Sequence, residues 1–346
     1  MLRYLTAGES HGKALVAILE GLPAGLRLEP ERINKELKRR QGGLGRGKRM
    51  QIESDLVQIL SGLKNSITLA SPIALFIENK DSSIEKLHKV FSPRPGHADL
   101  AGVLKYGFSD VRNVLERASA RETAARVGCG AICKIFLDEF KIKIFSRVLT
   151  LGGESDYQSM REKIYEAMAK KDTLGGIFEV VAQGAPVGLG SYVQPDRRLD
   201  GRLAQAMVSI PGIKAVEFGL GFGYADRFGS EAHDPIYYTK GKGFIRTSNN
   251  AGGIEGGISN GQDIVIRACM KPISTLLKPL DSVDIKTKKS SKAAVERSDI
   301  CVVEAAAVIA ESACAYILAD AFLEKFGSDS LDDIKLNYRN YLKRLR

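Results

Sequence analysis

The run VEAAAVIAESACAYILADAFLEKF, Val303 to Phe326, decides whether this chain is a membrane protein or a globular one. A bilayer span needs about 18 or more consecutive apolar residues. From Cys301 to Phe322 the run is interrupted by Glu304, Glu311 and Asp320. It therefore reads as a long alanine-rich helix lying on or inside a protein core. A second long helix is expected over LERASARETAARVGCGAICKIFLDEF, residues 115–140, whose alanines and glycines permit close packing. EPERINKELKRRQGG has acids in its first turn, basic residues in its last and glycines just beyond, the pattern of a capped helix. DGRLAQAMVSIPG reads as a helix ended by Pro211.

Between these helices lie strand-like runs: LVAILEGLP, SPIALFIEN, KIKIFSRVLTLGG, GIFEVVAQGAP and GQDIVIRACM. They do not alternate with helices in a regular βαβ period, and no internal repeat or long linker divides the chain. The expectation is α+β, one domain over residues 1–346, with a basic C-terminal tail from about residue 327.

Composition narrows the function. Of 346 residues, 44% are hydrophobic and 27% charged, as in a soluble globular protein. MLRYLTAGESHG lacks the apolar core of a secretory leader, and five cysteines without a paired framework suit a reduced, cytoplasmic setting. Cys129 and Cys133 are four apart but lack further ligands at suitable spacing, so no metal is expected. The net charge of +10 admits nucleic acid, membrane surfaces or anionic small molecules. Arg27 to Arg49 alone holds nine Lys/Arg against three Glu. Tryptophan is absent and aromatics make up 7%, so base-stacking platforms are not advertised.

Several clusters carry chemistry. RRQGGLGRGKRM contains G-x-x-x-x-G-K, but Arg49 stands where a P-loop needs Ser or Thr, and the segment follows a helix rather than a strand. What remains is a glycine-rich loop of arginines able to clamp phosphate or carboxylate in forks, or a flexible surface loop. His11 in GESHG and His97 in RPGHAD each sit by glycine and near an acid; such imidazoles exchange protons near neutral pH or serve structure. LERASARET reads equally as an exposed helix start or an anion cradle. KPISTL is a polar turn with donors for a phosphate, and Asp299 in RSD is a helix N-cap or a site acid. NNAGGIEGGISNGQ is a loop whose glycines let backbone approach a ligand.

Taken together and in order, these segments resemble the chorismate synthase family. RYLTAGESHGKALVAILEGLPAG is similar to its N-terminal signature, LERASARETAARVGCGAI to its central one and RSDICVVEAAAVIAES to its C-terminal one. RRQGGLGRGKRM, PRPGHADLAGVLKYG, SNNAGGIEGGISNGQ and KPISTL fall between them, so the resemblance runs from residue 3 to about 323. It implies conversion of 5-enolpyruvylshikimate 3-phosphate to chorismate by 1,4-anti elimination of phosphate, with reduced FMN and no net redox change. It also implies a β-α-β sandwich of two antiparallel sheets around helices, usually a homotetramer.

By the same resemblance His11 protonates reduced flavin, His97 serves the departing phosphate, and Asp299 assists deprotonation. Arg117, Ala118, Ser119, Pro211, Gly212, Gly256, Lys271, Pro272, Ile273, Ser274, Thr275 and Arg297 match the FMN-binding positions. Arg40 and Arg46 match arginines assigned to substrate or NADP. Arg49, Arg94 and Arg121 are added here for the substrate's anionic groups. The substrate's phosphate and two carboxylates account for the arginine surplus. Leu44 stands where the family often has an aromatic, and Glu304 where proline is common. With no evident insertion, the chain is expected to depend on an external flavin reductase, NADPH acting only indirectly. The competing reading, a basic nucleic-acid binder, leaves GESHG, KPISTL and RSD without a role, so neither nucleic acid nor membrane is expected as a partner.

Overall fold

The computed structural model describes residues 1–346 apart from 47–53, 242, 297–298 and 346. Its main elements, in chain order, begin with β1 (Arg3–Ala7), β2 (Ala14–Glu20), α1 (Pro30–Gln41), β3 (Val57–Ile59) and β4 (Ile73–Glu78). Next come α2 (Asp99–Tyr106), α3 (Arg112–Ala118), α4 (Thr123–Asp138), β5 (Lys143–Leu151) and α5 (Tyr157–Lys170). Then follow β6 (Gly176–Gln183), α6 (Leu199–Val208), β7 (Ile213–Phe218), β8 (Ile264–Met270), α7 (Val303–Phe326) and α8 (Leu331–Arg344). The fold is α+β, as expected.

Period-2 burial builds two four-stranded antiparallel sheets. In the first, ordered β1-β2-β4-β3, Leu15, Ala17 and Leu19 of β2 and Ile73, Leu75 and Ile77 of β4 are buried, while Ile18 faces out. In the second, ordered β7-β8-β6-β5, Phe178, Val180 and Ala182 sit beside Ile264, Ile266 and Ala268 on the inner face. Helix α4 packs on the first sheet, α7 on the second, and the two helices pack on each other.

Small residues make that meeting possible. A Cβ on Gly130 of α4 would lie 2.3 Å from Ser312 Cβ and 2.7 Å from its carbonyl oxygen. α7 is buried on every side, among them Ala306, Ala310, Ala315 and Ala319, which explains why its apolar pattern has no single stripe. It is long and apolar enough to cross a bilayer, yet most of it is enclosed within this chain. Its one fully buried acid, Glu311, accepts from Arg39 of α1 through two bonds of 2.7 Å, from Lys134 of α4 at 2.6 Å and from Ser146 of β5 at 2.5 Å. Burial alone would raise this carboxyl, but the bonds from Arg39 and Lys134 outweigh it and the net shift is downward.

Two segments differ from the reading of the sequence. The expected helix over 115–140 breaks at Ser119, which is extended (φ −66°, ψ 142°), and a short 3₁₀ turn, Ala120–Glu122, precedes α4. The serine side chain accepts from Arg121 N, an alternative to helical bonding that such residues offer. The freed Ala120 carbonyl accepts from Thr123 Oγ1 at 2.6 Å and Arg40 Nη2 at 2.9 Å. The basic C-terminal segment is the helix α8, whose Tyr338 meets Phe322 and Phe326 of α7 at ring-centroid distances of 5.3 and 5.2 Å.

Gly130→Ala should cost about 1–3 kcal/mol, because the α4–α7 backbone contact leaves no room for a methyl group. Denaturant midpoints compared with wild type check this; an unchanged midpoint would show that the helix pair tolerates separation.

Candidate active site

The GESHG turn follows β1 and is held by its neighbours. Asn79 Nδ2 donates to the carbonyls of Glu9 (3.1 Å) and Gly12 (2.8 Å). Arg117 of α3, expected to touch a cofactor, gives its forked donors to Gly8 O (2.8 Å) and Thr6 O (3.0 Å), so it braces the strand end that leads into the turn. Ala118 and Ser119 follow it at the helix break. Within the turn, His11 Nδ1 lies 2.9 Å from Glu116 Oε2, and the His11 backbone N–H donates to the same oxygen at 2.9 Å. His11 Nε2 is 4.0 Å from Asp81 Oδ2.

Three of the expected arginines share one neighbourhood. Arg40 and Arg121 both bond the fully buried Asp55, at 3.4 and 2.5 Å. Arg121 Nε also donates to Asn79 Oδ1 at 2.9 Å, which ties this cluster to the His11 turn. Arg46 Nη1 pairs with Asp299 Oδ2 at 2.9 Å, while its buried Nε has no acceptor among the described residues. Arg40 is pushed down to about 10: burial is the main cause, attraction to Asp55 opposes it, and repulsion by Arg121 and Arg46 adds to it. Three guanidinium groups thus lie close together among Asp55, Asp299 and Glu122, in a place where positive charge is already costly. Such a cluster is stabilised by an added anion.

His97 has its own buried acid. Its Nδ1 is 2.5 Å from Asp99 Oδ1, and Arg94 Nε donates to Asp99 Oδ2 at 2.8 Å. Arg94 Nη1 donates to Thr275 Oγ1 at 2.7 Å, and Lys271 Nζ to Gly96 O at 2.5 Å, so KPISTL lies directly on the RPGHAD turn. Lys271 is shifted downward, first by burial and then by Lys214. Its backbone N–H donates to Gly212 O, which brings Pro211 and Gly212 to the same place.

Backbone bonds close the circuit. Thr173 Oγ1 donates to Ile273 O, just after Pro272 and before Ser274. Next in the chain, Leu174 N donates to Ile300 O, and Ile300 N to Gly45 O, beside the Arg46–Asp299 pair. The segment 88–94 runs from Arg112, which bonds His88 O, to Arg94. It docks against the 282–294 segment through bonds from Ile285 N to Phe91 O and Ala294 N to Ser92 O. Motifs far apart in sequence therefore form one connected set. Gly256 stands apart from it: φ is 59°, a Cβ added there would meet nothing within 4 Å, and its hairpin leans on Arg246 and Leu199. Arg49 and Arg297 lie outside the described residues.

Leu44 and Glu304, the two departures from the family pattern, touch each other: Leu44 N donates to Glu304 Oε1 at 3.1 Å, which pins the arginine loop to the first turn of α7. The carboxylates Glu116, Asp99 and Asp55 were not singled out in the sequence. Asp99 stood within RPGHAD, two residues after His97, and that spacing was its signal; Glu116 and Asp55 had none.

Comparison with known proteins gives a consistent answer. The family model for chorismate synthase matches residues 2–323. Chorismate synthase of Thermoanaerobacter pseudethanolicus is 58% identical over 99% of this chain and 98% of its own length. That of Aquifex aeolicus is 50% identical over 100% of this chain and 98% of its own length. A crystal structure of a chorismate synthase superposes with a TM-score of 0.83 and 44% identity, covering 99% of this chain and 98% of that one.

Asp99 generates a pH prediction. Burial would raise its carboxyl, but bonds from His97 and Arg94 hold it well below the usual carboxylate range. A depressed folded value stabilises the fold above the unfolded value of about 3.9, and that contribution is lost as pH falls through the folded value. Asp99→Asn should therefore flatten the acid limb of stability below about pH 4. Chemical denaturation at stepped pH tests this, and parallel limbs would refute it.

Proposed function

The chain belongs to the chorismate synthase family, lyases of the shikimate pathway that form chorismate, and from that premise we propose which residues act and what they hold. The observation that carries the reading is the juxtaposition just described. Arg40, Arg46 and Arg121 are gathered around Asp55 and Asp299, and two histidines each have a buried carboxylate at Nδ1.

On this reading the arginines, with Arg94, orient the phosphate and carboxylates of 5-enolpyruvylshikimate 3-phosphate. Arg49 and Arg297 belong to the same proposal. His97 supplies positive charge or a proton where the phosphate departs, and Lys271 stands beside its turn. Asp299, paired with Arg46, serves proton removal at C6. His11 governs protonation at the cofactor. Fixed, buried charges of this kind act more strongly once a bound ligand excludes water.

The residues fit reduced FMN. Arg46 Nε, without an acceptor among the described residues, and the depressed Arg40 call for an anion. Lys271 through Thr275, together with Pro211 and Gly212, give a polar turn beside backbone of positive φ. Ala118, Ser119 and the end of α3 complete the set that would hold it, and Gly256, off that connected set, joins the proposal through the family resemblance alone. When bound, reduced FMN supplies the electron-rich partner of the elimination without net redox change.

The wider reading is a cytoplasmic homotetramer built as a β-α-β sandwich. Exposed apolar residues on the outer sheet faces, the cross-strand pair Leu5 and Ile18 on one and Phe145 on the other, support assembly. The reading includes dependence on an external flavin reductase, with NADPH an indirect source of electrons.

The test is anaerobic: purified protein, chemically reduced FMN and 5-enolpyruvylshikimate 3-phosphate. Chorismate and phosphate should appear together in equal amounts, and neither should appear with oxidised FMN. Bound flavin without product would overturn the substrate; no flavin binding would overturn the site. His97→Ala and Asp299→Ala should keep FMN affinity and lose about 100-fold or more in turnover. NADPH-driven turnover by the pure protein alone would refute the external reductase.

A further inference from the structure

Glu116 belongs to none of the roles above, yet both its carbonyl and its carboxylate hold the GESHG turn. Its side chain is 2% exposed. Its carbonyl accepts from Ser10 N at 3.0 Å, and its Oε2 accepts from His11 N at 2.9 Å. The His11 ring stands against the same carboxylate, with Nδ1 2.9 Å from Oε2 and 3.1 Å from Oε1. Burial pushes the Glu116 carboxyl up, but the His11 bonds outweigh that, with Arg112 adding to them, and it is held below the ordinary value. It is therefore an anion near neutral pH, and a carboxylate anion only accepts hydrogen bonds. The proton of a neutral His11 ring is then required on Nδ1, which leaves Nε2 with its lone pair.

The contacts continue on the far side. Arg112 Nη1 approaches Glu116 Oε1 at 3.4 Å, and Arg112 Nη2 donates to Glu296 Oε1 at 2.9 Å. Glu296 is the residue before the Arg297–Asp299 signature. An imidazole, a carboxylate, a guanidinium and a second carboxylate thus run in line from the first signature to the last.

We propose that Glu116 is the positioning residue of His11: it fixes the ring proton on Nδ1, makes Nε2 the atom that exchanges protons, and through Arg112 and Glu296 holds the turn in register with the segment entering Asp299. This deepens the role given to His11 above and rests on it for its catalytic consequence, though not for its structural one.

The test reads the tautomer directly. With four histidines in the chain, long-range ¹H–¹⁵N spectra of the full-length, ¹⁵N-histidine protein give four ring patterns, and His11→Asn identifies one of them. In wild type at pH 8 the His11 pattern should show a protonated Nδ1 and a bare Nε2. Glu116→Ala and Glu116→Leu each take the side-chain acceptor away from Nδ1, so the Nε2–H form should gain at the expense of Nδ1–H. The Leu variant, closer in size, carries the test if the Ala variant does not fold. Turnover in the anaerobic assay should fall about 10- to 100-fold in both. A wild-type ring protonated on Nε2, or a pattern unmoved by either substitution, overturns the inference. A shifted tautomer with unchanged turnover sustains the positioning role and sinks the catalytic role of His11 instead.

Discussion

A carboxylate with no exposed surface, Glu311, sits in the most apolar helix of this molecule, and the surrounding elements are arranged so that it never lacks a partner. A buried charge left alone costs several kcal/mol, so Arg39, Lys134 and Ser146 must arrive together. That requirement fixes α1, α4 and β5 about α7. It also fixes the orientation of α1 about its own axis. Because Arg39 is turned to Glu311, its neighbour Arg40, about 100° further round the helix, is turned to Asp55 and the Ala120 carbonyl. One arginine holds the core, and the next one in sequence enters the site.

The site is economical with counter-charge. Asp55 serves two guanidinium groups, and Asp99 serves both Arg94 and His97. Sharing draws guanidinium and imidazole groups from distant segments together on a few buried acids. The same device orients the imidazoles: both histidines meet a carboxylate through Nδ1. Geometry, more than the number of basic residues, distinguishes this arrangement from the solvated charges of α8.

Much of this was legible in the sequence, for identifiable reasons. Alanine-rich α7 and the period-2 strands β2, β4, β6 and β8 carry strong local patterns. The glycine-flanked histidines and the arginine loop stand out by composition. β1, β3 and β7 are too short or too mixed to declare themselves. α5 had a signal that went unread: Asp156 as N-cap, its side chain accepting from Gln158 N and Ser159 N, followed by Met160, Ile164 and Ala167 on one face. Glu116 and Asp55 were invisible because their meaning depends on which elements meet in space. The break at Ser119 was hidden for a similar reason. A good helix former on either side gives way to a carbonyl that Arg40, 80 residues away, needs.

The place of α7 in the chain sets the order in which the molecule can be made. The helix that covers the second sheet follows in sequence every strand of that sheet. Until it forms, the inner face of the second sheet lacks its cover, and Arg39 and Lys134 have no Glu311. The N-terminus is bound late as well, since Leu2 N donates to Asp320 Oδ1 and Tyr316 Oη to Leu2 O. Folding of this chain thus depends on long-range closure, with apolar strands waiting for a helix that comes after them in sequence. That is the regime in which topology slows folding and chaperone protection matters most.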